Sequence, residues 1–344
     1  MSAVKKKVKF SWWRWLVLRV LVLCVVTALA VGWWLTAPLS LRLAQEQSVV
    51  DLRVPAGAAA ARVVREAVAA GVKEPEWLML LGIRASGQAH QIKAGSYEIV
   101  PGTTPLQLLD KLVRGDQALR SVTLLEGWTF RQMHEAVQNA EHLELSEQAK
   151  KPENIMKILG REGRHPEGRF FPDTYVYPKY SSDVDIWRLA AAAMDTRLAQ
   201  AWAQRHPGLP LTSPEQALVL ASIIEKETGQ ESERTLVAGV FVNRLRLGMR
   251  LQTDPSVIYG AGPNFEGRLR RIHLDTDTPY NTYTRSGLPP TPIANPGWAS
   301  LLAAVQPAQT PALYFVARGD GTSQFSNNLA DHNQAVRRYI LKKP

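Results

Sequence analysis

The sequence predicts an α+β protein with a single N-terminal transmembrane helix, a small α/β domain and a larger α+β domain. Three observations predict this class. An apolar segment at 16–35 precedes a long globular region. Helical patterns of unequal length then alternate with short extended segments bounded by glycine and proline. Finally, 344 residues exceed one ordinary domain, and the 45% hydrophobic and 21% charged residues are typical of chains that bury a core.

The excess positive charge is concentrated at the N-terminus. Residues 1–42 hold seven Lys and Arg and no acidic residue, whereas the other 302 residues carry 34 basic and 31 acidic side chains, so +7 of the net charge of +10 lies in the first segment. A basic nucleic-acid-binding domain is therefore not expected. The single cysteine, Cys24, excludes a disulfide framework and a multi-cysteine metal site.

Residues 16–35 are predicted to cross a membrane, because about twenty apolar residues span a hydrocarbon core. Tryptophans flank both ends of this segment as an aromatic belt would, at Trp12, Trp13, Trp15, Trp33 and Trp34. The basic residues predict that 1–15 form a cytoplasmic tail of a single-pass protein in the cytoplasmic (inner) membrane, with the later domains outside. A signal peptide cleaved after Ala28-Leu29-Ala30 is the alternative.

Residues 36–48 are predicted to be a linker and 49–118 a small domain. Its expected elements are a strand at 49–54, helices at 58–70 and 75–81, extended segments at 91–95 and 96–100, and a helix from a capping box at Thr104 to Gly115. This domain has no cluster of catalytic residue types. We therefore expect it to be an adaptor or binding domain.

Residues 119–344 are predicted to form the larger domain. Its expected elements are a strand at 119–127, helices at 128–140, 185–204, 213–228, 233–247 and 254–259, an extended segment at 249–253, a helix at 298–305, a strand at 313–317 and a helix ending at Tyr339. A loop rich in glycine, proline, aromatic residues and carboxylates occupies 166–175. The proline-rich stretch 278–296 carries amides, hydroxyls and tyrosines, which suit a sugar polymer, although on its own the stretch favours a structural loop.

The helix at 213–228 carries the strongest candidate for a catalytic group. Residues 217–224 are apolar on every side, which predicts a helix buried all round. Its last turn carries Glu225 and Glu227, about 160° apart around the axis. A carboxyl among apolar neighbours at the C-terminal end of a helix resists ionisation, because desolvation and the helix dipole both oppose its negative charge.

Such a carboxyl can serve as a general acid, which makes Glu225 a candidate. The structural alternative is that both glutamates pair with Lys226, Arg234 or another cation. Motifs for nucleotide binding, zinc hydrolysis and a serine nucleophile are absent from the sequence, and the histidines show no ligand spacing. No metal and no cofactor are expected, so any chemistry must use carboxylates.

Several motifs resemble those of the endolytic murein transglycosylase family, also called the YceG-like family. They are IKAGSYEIVPGTT, LLEGWT, EGRFFPDTY, ASIIEKET, VFVNRLRLGMRLQTDPSVIYG, YNTY and GLPPTPIANPG, and they occur in order over about residues 49–340. The resemblance implies that the small domain is LysM-like and that the larger domain cleaves peptidoglycan glycan strands at the outer face of the cytoplasmic membrane. It also implies that Glu225 is catalytic.

By the same resemblance, five further residues line or support the cleft, namely Glu167, Asp254, Asn281, Tyr283 and Asn295. One departure is that Thr322-Ser323-Gln324 stand where family members often carry a histidine. The implied reaction breaks the β-1,4 bond from N-acetylmuramic acid to N-acetylglucosamine and leaves 1,6-anhydro ends. Two alternatives remain, a muramidase-type hydrolase with Asp254 or Glu167 as second carboxylate, and a non-enzymatic glycan-binding scaffold that recruits cell-wall synthases.

Overall fold

The computed structural model describes residues 12–43, 48–262, 265 and 267–341. It divides into two compact units, and the predicted α+β class is confirmed. Unit 1 runs to Leu119 and includes Pro178–Tyr180, whereas unit 2 comprises Arg120–Tyr177 and the chain from Ser181 onward. Most of the predicted tail, 1–11, lies outside the described residues, as do 44–47 of the predicted linker.

The first element of unit 1 is the apolar helix α1, Trp12–Thr36, which is long and apolar enough to cross a membrane. It begins four residues before the predicted start of the membrane segment at residue 16, so that Trp12–Trp15 of the predicted tail are helical. Its residues are exposed except for Val31, Trp34 and Leu35, which are partly covered. These three positions share one face, since residues three and four apart are neighbours on a helix. An N-terminal helix of this kind suggests single-pass membrane anchoring.

The rest of unit 1 consists of β1 Val50–Val54, α2 Ala60–Ala70, α3 Glu76–Ala85, β2 Gly95–Ile99 and α4 Pro105–Arg114. Strands β1 and β2 pair antiparallel, with Val50 opposite Ile99. The predicted capping box at Thr104 is confirmed, and Gly115 ends α4 with a positive φ of 75°. The extended segment expected at 91–95 is wrong, because Ala89–Gln91 form a 3-10 turn and β2 starts at Gly95.

Part of the predicted linker is docked on unit 1. Leu39 is buried, and its N–H donates to the Thr103 carbonyl at 2.8 Å. The Arg42 N–H donates to the Gly71 carbonyl at 2.7 Å, and the Lys73 N–H donates to the Ser40 carbonyl at 2.8 Å. Buried backbone groups need such partners, so this segment is part of the fold.

A second distant segment completes unit 1. The buried Lys179 ammonium donates to Asp51 Oδ1 at 2.7 Å and to Glu98 Oε1 at 2.9 Å. A buried ammonium is tolerated only when it is paired in this way. Asp51 and Glu98 lie opposite each other in the sheet, so Lys179 bridges β1 and β2, a contact that no local pattern could indicate.

The first half of unit 2 contains β3 Leu119–Thr123, α5 Phe130–Gln138, α6 Ile155–Ile158, β4 Thr174–Pro178 and α7 Asp183–Ala203, except that the terminal residues Leu119 and Pro178 belong to unit 1. The structure pairs β3 with β4. The loop expected at 166–175 therefore ends in a strand that the sequence did not predict. Phe130, Phe170 and Trp187 pack together in the core of this half, with Phe170 and Trp187 ring centroids 4.9 Å apart.

The second half contains α8 Pro214–Glu227, α9 Arg234–Arg246, α10 Asp254–Ala261, α11 Arg271–Asp275, α12 Trp298–Val305, β5 Tyr314–Ala317, β6 Ser323–Ser326 and α13 Leu329–Tyr339. Helix α8 packs against α7, α9, α10 and α12, and Ala217–Ile224 are all buried. The prediction of a helix buried all round is confirmed. Residues 249–253, expected to be extended, form no strand, and Gln252 has a positive φ of 53°.

Candidate active site

Helix α8 carries two glutamates in its last turn, directly after its buried hydrophobic turns. Ser213 caps its start by accepting a hydrogen bond from the Gln216 N–H, and Pro214 occupies the first turn. Ser213 and Gln216 do not form a full capping box, because Gln216 Oε1 accepts from the Thr212 N–H at 2.7 Å. The buried turns fix the rotation of the helix, so Glu225 and Glu227 leave it on opposite sides.

Glu225 lies between two loops. Its Oε2 accepts a hydrogen bond of 2.9 Å from the Gly297 N–H, at the N-terminal end of α12. On its other side is Gly127, whose carbonyl accepts a hydrogen bond of 3.3 Å from Lys226 Nζ. The Glu225 side chain is half-buried, so a ligand can approach it. Lys226 therefore contacts the loop at Gly127. The sequence left open an ion pair between Glu225 and Lys226, but Lys226 donates to this loop instead.

A second carboxylate, that of Glu126, lies beside Glu225 and was missed by the sequence prediction. A Cβ atom at Gly297 would overlap the Glu126 carboxylate, so both acids approach the same glycine. Burial and then the charge of Glu225 raise the pKa of Glu126, whereas Arg234 lowers it. The buried Nε of Arg234 makes no hydrogen bond. The sequence signal for Glu126 was its position in the motif LLEGWT, directly before Gly127.

Asn295 joins the loops that surround Glu225. It is fully buried, and its Nδ2 donates to the Trp128 carbonyl at 3.0 Å and to Glu167 Oε1 at 3.2 Å. Its Oδ1 accepts from the Phe170 N–H at 3.1 Å, and its carbonyl accepts from the Gly127 N–H at 2.9 Å. One side chain thus fixes the positions of three loops at the site.

Glu167 lies beneath these loops and is only 4% exposed. Its Oε1 accepts from the Phe130 N–H at 2.8 Å, and the Tyr259 hydroxyl also contacts the carboxyl. Desolvation raises the pKa of Glu167 to about 7, although these hydrogen bonds and Lys226 oppose the shift. The geometry therefore gives Glu167 and Asn295 a supporting position behind Glu225.

The other three predicted site residues form a separate group on the Glu227 side of α8. The Tyr283 hydroxyl donates to Asp254 Oδ1 at 2.6 Å. Asn281 is buried; its Oδ1 accepts from the Tyr283 N–H at 2.8 Å, and its Nδ2 donates to the Thr276 carbonyl at 2.6 Å. Asn281 therefore positions Tyr283, while Asp254 and Tyr283 carry the more accessible polar atoms.

Glu227 connects α8 to this second group through charge. Desolvation and then the charge of Asp254 raise the pKa of Glu227 to about 7, and the buried Arg244 opposes the shift. Within the described part of the chain, no three His, Cys, Asp or Glu side chains are grouped so as to hold a metal ion. The site thus brings several carboxyl groups together, and burial raises the pKa of three of them, Glu126, Glu167 and Glu227, which suits proton transfer.

Known proteins share this sequence pattern. The model of the YceG-like family matches residues 52–338. An endolytic murein transglycosylase of Bacillus subtilis strain 168 is 29% identical over 314 residues, which cover 86% of each chain. One of Streptococcus pneumoniae serotype 2 is 27% identical over 286 residues, 73% of this chain, and the chain spans about half (51%) of that protein's length.

A solved structure supports the same relation. A YceG-like protein of Listeria monocytogenes matches with a TM-score of 0.51 and 28% identity, over 84% of this chain and 99% of that one. The family match runs from residue 52 in unit 1 to residue 338 in unit 2 and includes α8 and the loops that Asn295 joins. Because that match extends over most of the sequence, the chain belongs to the YceG-like family.

Proposed function

We propose that this protein is a membrane-anchored endolytic murein transglycosylase that cleaves glycan strands of peptidoglycan internally. The names of its relatives in Bacillus and Streptococcus support this activity. The observation that carries the proposal is Glu225, which is half-buried at the end of α8, fixed by the Gly297 N–H and adjacent to a second acid. A proton donor for a glycosidic oxygen needs this combination of access and position.

The proposed reaction uses Glu225 twice. As an acid it protonates the oxygen of the β-1,4 bond between N-acetylmuramic acid and N-acetylglucosamine, and that bond breaks. As a carboxylate it then accepts the proton of the muramic C6 hydroxyl, whose oxygen closes on C1 to give a 1,6-anhydro ring. Because the nucleophile belongs to the substrate, no water is consumed and no second enzyme nucleophile is required, unlike in the two-carboxylate hydrolases.

The neighbours of Glu225 support both steps. The Gly297 N–H holds one carboxylate oxygen, which leaves the other to face the substrate. Glu126 adds negative charge beside the bond that breaks, where positive charge develops on the sugar. Asp254 and Tyr283 are proposed to contact the glycan, whereas Glu167, Asn281 and Asn295 support the loops.

The muramidase alternative needs a second carboxylate that can activate water. Glu167 is poorly suited, because it is buried and its Oε1 already accepts hydrogen bonds from Phe130 and Asn295. Asp254 remains available for that role, on the Glu227 side of α8. The identity of the product end therefore decides between the two reactions.

The proposed location follows from α1. With the N-terminus in the cytoplasm, the rest of the chain lies at the outer face of the cytoplasmic membrane, where glycan strands are made. We propose unit 1 as a LysM-like module and cell-wall synthases as partners at that surface.

Mass spectrometry of glycan strands digested by the full-length protein in detergent tests this function. We expect internal cleavage products ending in anhydro-muramic acid, one water lighter than a reducing end. Glu225→Gln should lower the rate by roughly 10²–10⁴-fold, as loss of a general acid does. The matched variant Glu215→Gln, at the exposed N-terminal end of the same helix, should retain most activity.

Other outcomes separate the alternatives. Reducing ends would establish a hydrolase and direct attention to Asp254. Intact strands that remain bound to both the wild type and Glu225→Gln would support the scaffold. Full activity of Glu225→Gln would remove Glu225 from the mechanism.

A further inference from the structure

An apolar cavity of about 280 Å³ lies within unit 1 where α1 meets α3 and α4. Val31, Trp34 and Leu35 of α1 form one wall, and these are the α1 residues that are partly covered. The other walls include Met79 of α3 and Leu109 of α4. The cavity is therefore built partly by the helix that is suited to the membrane.

The lining is almost entirely hydrophobic. Ser86 carries a hydroxyl, but its Oγ donates to the Ile83 carbonyl at 2.7 Å and so has no need of a ligand. Apolar cavities without polar partners stay dry, and one of about 150 Å³ holds a benzene-sized molecule. A cavity of about 280 Å³ has room for a longer hydrocarbon. Water is thus an unsuitable occupant, and an apolar chain is a suitable one.

The position of the cavity indicates what surrounds its opening. Val31 lies five residues before the end of α1 at Thr36, roughly 7 Å along the helix at 1.5 Å per residue. This wall therefore reaches from the membrane interface into the depth of the acyl chains. Leu81 and Leu106 also line the cavity, and each is about half exposed. The accessible side of the cavity is framed by hydrophobic side chains close to the C-terminal end of α1.

We propose that this cavity binds one acyl chain of a phospholipid from the surrounding bilayer. A chain that leaves other lipid tails gains no hydrophobic free energy, because its surroundings were already apolar. The favourable contribution comes from dispersion contacts that the empty cavity lacks. The site therefore selects for the shape of a single chain, and the bound chain holds α1 against α3 and α4. The proposal requires α1 to lie in a membrane but does not depend on the enzymatic activity.

Photo-crosslinking of the full-length protein in lipid nanodiscs tests the site. The discs contain phosphatidylethanolamine and a phosphatidylglycerol that bears a diazirine at the end of one acyl chain. We expect adducts on peptides from α3 and α4 in addition to the lipid-facing residues of α1. Ala85→Trp places a large side chain at the cavity wall and should lower the α3 and α4 adducts by about tenfold, since a filled space in a close-packed structure admits no second group.

Ala69→Trp is the matched control, because Ala69 is exposed on α2 and does not line the cavity. Its adducts should equal those of the wild type. Adducts on Leu21 and Leu29, exposed residues of α1, serve as the internal reference for incorporation into the disc. If Ala85→Trp fails to incorporate, Leu106→Trp fills the cavity from the opposite wall.

Three results would overturn the proposal. Adducts confined to α1 would mean that lipid contacts the helix without entering the cavity. Undiminished adducts on α3 and α4 in both filling variants would place the label at the surface. A second arm uses a diazirine-labelled polyprenyl phosphate at equal mole fraction, and labelling by this probe alone would replace the phospholipid with an isoprenoid chain.

Discussion

Glu167 is a carboxyl group whose burial makes stability depend on pH. Its pKa is raised from 4.5 to about 7 by desolvation, and the side chain is almost fully buried. Because the folded pKa exceeds the unfolded one, the folded state binds the additional proton in this interval. The stability it contributes is therefore complete below about pH 4.5 and is lost as the pH rises through about 7.

We predict that the free energy of unfolding falls by about 3 kcal/mol over this interval through Glu167 alone, with Glu227 acting in the same direction. Glu167→Gln keeps an oxygen for the Phe130 N–H but cannot ionise. The variant should therefore show about half the pH dependence of the wild type. Thermal unfolding in detergent at a series of pH values from 4.5 to 8 measures it.

Glu215→Gln is the control for this series. Arg169 lowers the pKa of Glu215. The ionisation of Glu215 therefore changes the stability only at pH values below about 4.5, outside the measured interval. An unchanged slope in Glu167→Gln, or an equal loss of slope in Glu215→Gln, would contradict the assignment.

The place of Glu225 at the end of a buried helix could be predicted from the sequence, whereas the approach of Glu126 to Gly297 could not. Glu225 follows eight buried residues of one helix, all apolar except Ser222, a local pattern that fixes its direction. Glu126 follows a strand in an exposed turn, and it reaches the site through Gly297, which is 171 residues away in the chain. Its role depends on a nonlocal contact that periodicity does not encode.

At the scale of elements, the site is formed where the C-terminal end of α8 meets the N-terminal end of α12. The bounds of α12, Trp298–Val305, match the prediction, and those of the other long helices differ from it by a few residues. Helices were predictable because caps and periodicity are local. Strands β4 and β6 were missed, because a strand of four or five residues is stabilised by a partner elsewhere in the chain.

We predict that Gly297→Ala impairs this junction without straining the backbone. Gly297 has a φ of −77°, which alanine adopts readily, but a Cβ atom would overlap the Glu126 carboxylate. Glu126 must then leave its position beside Glu225. The expected loss is about tenfold in glycan cleavage rate, equivalent to about 1.4 kcal/mol, with the melting temperature nearly unchanged.

The double variant Gly297→Ala/Glu126→Ala identifies the cause. If the loss arises from crowding of Glu126, the double variant should be as active as Glu126→Ala alone, because the two changes are coupled. Additive losses would show that Gly297 acts independently of Glu126.

At the scale of the whole molecule, the boundary between anchor and small domain differs from the simple linker that composition suggested. Residues 39–42 mix polar and apolar side chains without a periodic pattern, so the sequence does not indicate that they are docked. Their backbone hydrogen-bond partners include Gly71 and Thr103, which are distant in the chain. We predict that unit 1 has a larger free energy of unfolding in a fragment 37–344 than in a fragment 44–344. The difference should be about 2 kcal/mol or more, the contribution of burying Leu39.

Hydrogen exchange of β1 and β2 in the two fragments measures this difference. Leu39→Ala in fragment 37–344 should reproduce most of the effect, since it removes the buried side chain and keeps the backbone bonds. Equal protection in all three proteins would mean that residues 39–42 add nothing to unit 1.

The docking of residues 39–42 also affects how unit 1 encounters a ligand. Without slack between α1 and the folded unit, the unit moves with its helix and cannot sample the space above the membrane as a tethered domain does. Its encounters are then set by lateral diffusion and by the number of molecules per area of membrane. A larger volume outside the membrane would leave the rate at which unit 1 binds a ligand unchanged. A larger membrane area at a constant number of protein molecules would lower that rate.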